Sequence, residues 1–189
     1  MTNSIPRWDL TNVYPALDSK PFKNAVKKYK SLLDELELFL TKASKANSKT
    51  DSKKLGKLLG EATDRFNAIM ELSGTINPFI YSYVSTDSHN KDAMRAESEF
   101  EQIAVKANIL NTKFQAWVGT LGKPAIQKAV KTNASANAHL FGLYEAAEQS
   151  KYLMSEAEEA LAAELTLSGG NAFGKLQGVV TSQMTVDFE

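Results

Sequence analysis

The sequence predicts an all-α fold: a multi-helix lobe that ends in one short β-strand. Three observations predict it. Apolar residues recur at steps of three and four through most of the chain, the spacing that lines one face of an α-helix. Residues that start and stop helices bound the segments so patterned. Only near the C-terminus does the period change: Met184, Val186 and Phe188 alternate with polar neighbours, which is strand spacing.

The elements follow in order. Residues 1–18 lack helical periodicity but are rich in large side chains, so Trp8, Leu10, Val13 and Tyr14 are expected to pin an extended lead-in onto the core. Asp18 or Ser19 caps a first helix with Pro21 in its first turn; its stripe is Phe22, Val26, Tyr29, Leu33, Leu36 and Leu40, and it fades at Ser44–Ser48. Thr50, Asp51 or Ser52 caps a second, carrying Leu55, Leu58, Leu59, Ala62, Phe66, Ile69 and Met70. Its pattern resumes beyond Asn77-Pro78 in Phe79, Ile80, Tyr83 and Val84, and a kink or break is expected at the proline. After a turn at Thr86–Asn90, a third helix carries Phe100, Ile103, Ala107, Leu110, Phe114, Trp117, Val118 and Leu121 and stops at Gly122.

Pro124 opens a shorter helix that fails around Thr132–Asn137, and Leu140, Leu143 and Tyr144 begin another. Ser155 and Glu158 form a capping box ahead of Ala160, Leu161 and Leu165. Gly169-Gly170 closes that helix, and Ala172, Phe173 and Leu176 mark one or two further turns. The domain organisation is thus a single helical region over 1–189: lead-in 1–18, helices 19–178, and the start of a β-hairpin at 179–189. A lone strand leaves its backbone groups unpaired, so the hairpin is expected to continue beyond Glu189.

Composition narrows the chemistry. The chain has 189 residues, 43% of them apolar and 23% charged, enough for one domain with a core. With no cysteine, disulfides, thiolate metal sites and cysteine nucleophiles are excluded. No apolar stretch reaches membrane-spanning length and no secretory signal opens the chain, which points to a cytoplasmic protein without a membrane partner. Net charge is zero, yet residues 1–57 hold 12 Lys/Arg against 6 acids and the remainder 10 against 16. Asp34, Glu35 and Glu37 interrupt the basic run and no aromatics are interleaved at stacking positions, so a solvated helix face is expected rather than a nucleic-acid arm.

Catalytic constellations do not emerge. His89 and His139 have neither the His-Glu-x-x-His spacing of a zinc helix nor a glutamate three residues before. Gly56, Gly60 and Gly169-Gly170 follow no strand, so no phosphate loop is supported. Glu97, Glu99 and Glu101 alternate along one helix and are expected to point apart; Glu145, Glu148, Glu156, Glu158, Glu159 and Glu164 read as a solvated acidic face. Phe79, Tyr81 and Tyr83 beside Asn77-Pro78 suggest core packing, with a ligand cleft as the alternative. No residue is assigned a catalytic, cofactor-binding or metal-binding role.

Three segments resemble the N-terminal region of the oligoendopeptidase F group of thimet-oligopeptidase-like zinc peptidases. They are Trp8-Asp9-Leu10-Thr11-Asn12-Val13-Tyr14-Pro15; Tyr81-Ser82-Tyr83-Val84-Ser85-Thr86-Asp87; and the stretch from Leu153-Met154-Ser155-Glu156 through Leu167-Ser168-Gly169-Gly170-Asn171-Ala172-Phe173 to Thr185-Val186-Asp187-Phe188. Their order and spacing match over nearly the whole chain, although Phe141 and Tyr144 depart from the charged residues the family has there. The resemblance implies a parent with a catalytic domain that this chain lacks. In that family, zinc polarises the peptide carbonyl and water while the motif glutamate acts as general base. The chain itself would then form one wall of a channel for short peptides, with the missing catalytic domain as its partner and zinc only in the parent. Trp8, Tyr14, Phe114 and Trp117 are expected as core anchors, and Tyr81 and Tyr83 as candidates for the substrate-facing wall. An excised lobe can also dimerise through its exposed surface. The alternative is a free-standing helical protein-interaction module, which should end with its polar groups satisfied.

Overall fold

The computed structural model describes residues 9–186. Three long helices form its body: α1 (Lys20–Ala43), α2 (Ser52–Thr86) and α3 (Lys91–Leu121). Each begins on a side-chain cap. Ser19 Oγ accepts from the Phe22 amide at 3.4 Å, Asp51 from Lys54 at 3.0 Å and Asn90 from Ala93 at 2.9 Å, filling orphan donors of the first turn. Gly122 ends α3 with φ 75°, a left-handed conformation that glycine adopts without a Cβ penalty. The three helices pack on one another in turn, and their apolar stripes meet in one core of Tyr29, Leu33, Leu36, Leu59, Ile76, Ile80, Leu110, Phe114, Trp117 and Val118.

Shorter helices close one flank. α4 (Lys123–Val130) packs on α2, α5 (Ala134–Ala138) also lies on α2, and α6 (Leu140–Gln149) lies on α3. A 3₁₀ turn at Ser150–Tyr152 leads to α7 (Glu156–Thr166), which packs on α3, and a wide turn at Leu167–Asn171 leads to α8 (Ala172–Ser182). Where α2 meets α4 and α5, a Cβ on Gly56 would overlap Thr132 Oγ1 and the Ala129 carbonyl, and one on Gly60 would overlap the Asn133 side chain. Only glycine permits this approach, which is why these positions interrupt an otherwise good helix former's sequence.

Phe114 and Trp117 are core anchors as expected, and Trp117 Nε1 donates to the Ala46 carbonyl at 3.0 Å, tying α3 to the chain that leaves α1. Tyr14 stacks edge-on against Phe22 and Phe79, with centroids at 5.5 and 5.1 Å. Trp8 lies outside the described residues.

Several expectations are corrected. From Leu10 to Tyr14 the lead-in is a turn, not an extended segment: the Val13 and Tyr14 amides both donate to the Leu10 carbonyl, and the Asp9 carboxylate accepts from Thr11. Val13 faces outward at 40% exposure because that turn aims it away from the core. Pro78 does not break α2; it lies on the exposed face with Gly74, whose carbonyl loses its amide partner on the side open to solvent, while Ile76, Phe79 and Ile80 stay buried behind. The helix opened by Pro124 ends at Val130, just before the stretch where it was expected to fail; what was not expected is the short α5 that follows, capped by Asn133, which accepts from Ala136.

The end of the chain differs most. Gly169 takes φ −96°, ψ −107° within the wide turn, so the chain bends there and resumes as an 11-residue α8, longer than the one or two turns expected. Residues 179–182, assigned to the start of a hairpin, are the last turn of α8. Met184–Val186 form no strand, since alternation alone supplies no backbone partner, and Phe188 lies outside the described residues.

The Lys106 ammonium joins α3 to α1, reaching Asp34 at 2.7 Å and Glu37 at 2.6 Å. Its hydrogen bond and charge hold the Asp34 carboxyl below its ordinary 3.8. Burial pulls the Lys106 ammonium down, but hydrogen bonds from it to Asp34 and Glu37 and their charges leave it above 10.5. Asp34 therefore stabilises the fold above about pH 4, and that stabilisation is lost as pH falls through its depressed value. The Lys106 contribution is present up to about pH 10.5 and lost as pH rises through its raised value. In Lys106→Gln, both limbs of the profile of thermal midpoint against pH should flatten relative to wild type. Parallel profiles for the two proteins would contradict this.

Candidate functional site

The α7–α8 arm is built unlike the rest of the molecule. Neither helix has a buried residue. α7 is locally well made: the Ser155 amide donates to Glu158 Oε2 at 2.9 Å, the Glu158 amide to Ser155 Oγ at 3.4 Å, and the Met154 amide to Glu159 at 2.9 Å. Bonds from the Ser155 hydroxyl and amide hold the Glu158 carboxyl below its ordinary value.

On this well-capped arm, an apolar stripe faces outward. Phe173, Leu176 and Val180 fall three and four residues apart on α8, and Leu161 and Leu165 four apart on α7, all more than half exposed, with Phe173 at 71%. Each helix of the arm thus presents large apolar side chains to solvent.

Charged contacts tie the arm to α3: Lys113 Nζ reaches Glu156 of α7 at 3.1 Å, and a cluster holds α8. Lys175 Nζ on α8 reaches Glu97 at 3.1 Å and Glu101 at 2.6 Å on α3, all three being partly shielded from solvent. Burial pulls the Lys175 ammonium down, but its bonds to Glu101 and Glu97 outweigh this and leave it above the ordinary 10.5, hence charged at neutral pH. This corrects the expectation that Glu97 and Glu101 point apart. They are four residues apart and share a helix face. The i, i+4 spacing was the available signal; the partner, 74 residues away, left none.

The other residues singled out by sequence do not assemble into a site. His89 sits in the exposed turn between α2 and α3, its amide donating to Asp87. His139 lies between α5 and α6. Its Nδ1 donates to the Ser135 carbonyl at 2.9 Å, which leaves Nε2 as acceptor for the Asn67 amide at 3.4 Å. Among the described residues, no group of three His, Asp or Glu side chains converges at metal-ligating distances.

Tyr81 and Tyr83 are not brought together. Tyr81 is 59% exposed, whereas Tyr83 packs edge-on against Phe79 at 5.3 Å. Phe79 itself is buried in the core, as the packing expectation for this cluster had it.

Among the described residues, no helix is long and apolar enough to cross a membrane. In comparisons with known proteins, the chain matches no family model, no curated protein and no solved structure.

Proposed function

We propose that this chain is the N-terminal helical lobe of a cytoplasmic zinc-dependent oligoendopeptidase, forming one wall of a channel for short peptides and contributing no catalytic residue. The outward apolar stripe of α7–α8 carries the reading. Leu161, Leu165, Phe173, Leu176 and Val180 form the face expected of a lobe that buries them against a partner domain. The same segment, from Leu153 to Phe173, is the most specific part of the family resemblance. In this reading zinc and the general base belong to the catalytic domain. Met184–Phe188 would become one arm of a hairpin when that domain supplies the pairing edge.

The test is the reading frame after Glu189 and the protein it encodes. A His-Glu-x-x-His helix with a downstream glutamate is expected, along with cleavage of internally quenched short peptides that a zinc chelator abolishes. In that longer protein, Leu161→Glu combined with Phe173→Glu should reduce cleavage by more than tenfold. A stop codon directly after Glu189 would overturn the peptidase reading. It would favour the second one, a free-standing helical interaction module that uses the same apolar face.

A further inference from the structure

Beside the loop that connects them, α1 and α2 line a cleft of about 720 Å³. Its lining includes the apolar side chains of Leu38, Phe39 and Leu58. Leu38 lies off the core stripe of α1 and is 64% exposed.

Charge is divided along the cleft. At one end Arg65 lies over the Phe39 ring, 5.1 Å from its centroid, bonded to Glu61 at 2.9 Å and 3.7 Å from Glu35. With one guanidinium against two carboxylates, that triad carries a net single negative charge. At the other end stand Lys42, Lys45 and Lys54, exposed and with no carboxylate within 4.0 Å among the described residues.

We propose that this cleft docks an acidic amphipathic peptide segment of a partner protein, its large apolar side chains on Leu38 and Leu58 and its carboxylates on Lys42, Lys45 and Lys54. Charge complementarity selects the occupant. Three uncompensated ammonium groups beside an apolar lining attract a ligand that is both acidic and apolar, and they steer its approach. Two features disfavour nucleic acid. The one ring in the cleft, Phe39, is covered by Arg65 and so offers no stacking face, and Glu35 and Glu61 would repel a phosphate backbone at that end.

The experiment is fluorescence anisotropy on the whole chain. The probe is a fluorescein-labelled peptide of about twelve residues repeating Glu-Glu-Leu-Leu, a length that forms a helix when docked in a groove. Saturable binding is expected, weakened roughly tenfold by Lys45→Glu with Lys54→Glu, similarly by Leu38→Glu, and by added salt. These side chains are exposed, so circular dichroism should find each variant folded with an unchanged thermal midpoint. Lys23→Glu with Lys27→Glu, near the N-terminus of α1, makes the same change in net charge away from the cleft and should alter affinity by less than about twofold.

The proposal is overturned by lack of saturable binding to wild type, or by equal weakening in the α1 control pair. Indifference to Leu38→Glu would also overturn it. So would a single-stranded oligonucleotide that binds more tightly than the peptide through the same lysines, which would make the cleft a nucleic-acid site.

Discussion

Trp117→Ala is expected to lower the unfolding free energy by about 3–5 kcal/mol, a large share of what holds a domain of this size together. The indole is 3% exposed and packs edge-on against Phe114, with ring centroids 6.1 Å apart, so truncation opens a cavity where α3 meets the end of α1. It also removes the donor to the Ala46 carbonyl, a bond spanning 71 residues of sequence. Trp117→Phe separates the two effects. It keeps much of the ring volume but leaves that carbonyl without its partner, which should cost about 1–3 kcal/mol. Urea unfolding followed by far-ultraviolet circular dichroism measures both. A Trp117→Ala midpoint equal to wild type would show that the bond and the packing are dispensable.

Gly56→Val and Gly74→Ala should act in opposite directions although both lie in α2. At Gly56 an added side chain meets the Ala129 carbonyl, a backbone atom of α4 that cannot rotate away. Overpacking of this kind costs about 1–3 kcal/mol in a typical core, and a branched side chain against backbone belongs at the upper end. The valine also displaces Thr132, whose hydroxyl contacts the Ser52 and Ala129 carbonyls. At Gly74 nothing lies within 4 Å of a new Cβ, so alanine adds helix propensity alone and should stabilise by about 0.5–1 kcal/mol. Thermal melts of the two variants check the signs. A stabilised Gly56→Val would mean that α4 does not seat closely on α2.

The features legible in the sequence are those decided within about one helical turn. Ser19, Asp51 and the Ser155–Glu158 box cap their helices because a cap needs only its own next three residues. The stripes of α1 and α3 identified Tyr29, Leu33, Phe114 and Trp117 as core, and the α1 stripe passed over Leu38, a residue that lines an open cleft. The same local reasoning was silent on Lys175, whose partners Glu97 and Glu101 lie on another helix. It also expected Pro78 to disrupt α2, because the effect of a proline depends on whether the carbonyl it displaces can reach water. Gly74 and Pro78 both lie on the exposed face, and the helix continues.

What the sequence alone determined is the all-α class, the places where most helices begin, and the inward side of the long helices, apart from Met70 of the α2 stripe, which is 69% exposed. These follow from short-range hydrogen bonding and a period of 3.6 residues, both complete within a single segment. Only the tertiary structure decided which apolar residues lack a partner. The stripes of α1 and of α8 follow the same three- and four-residue spacing, yet Leu33 and Leu36 are buried while Phe173 and Val180 stand open. The physical reason is that burial is a property of two surfaces. A stripe names the face a helix would hide, and only the packing of other elements determines whether anything is there to cover it.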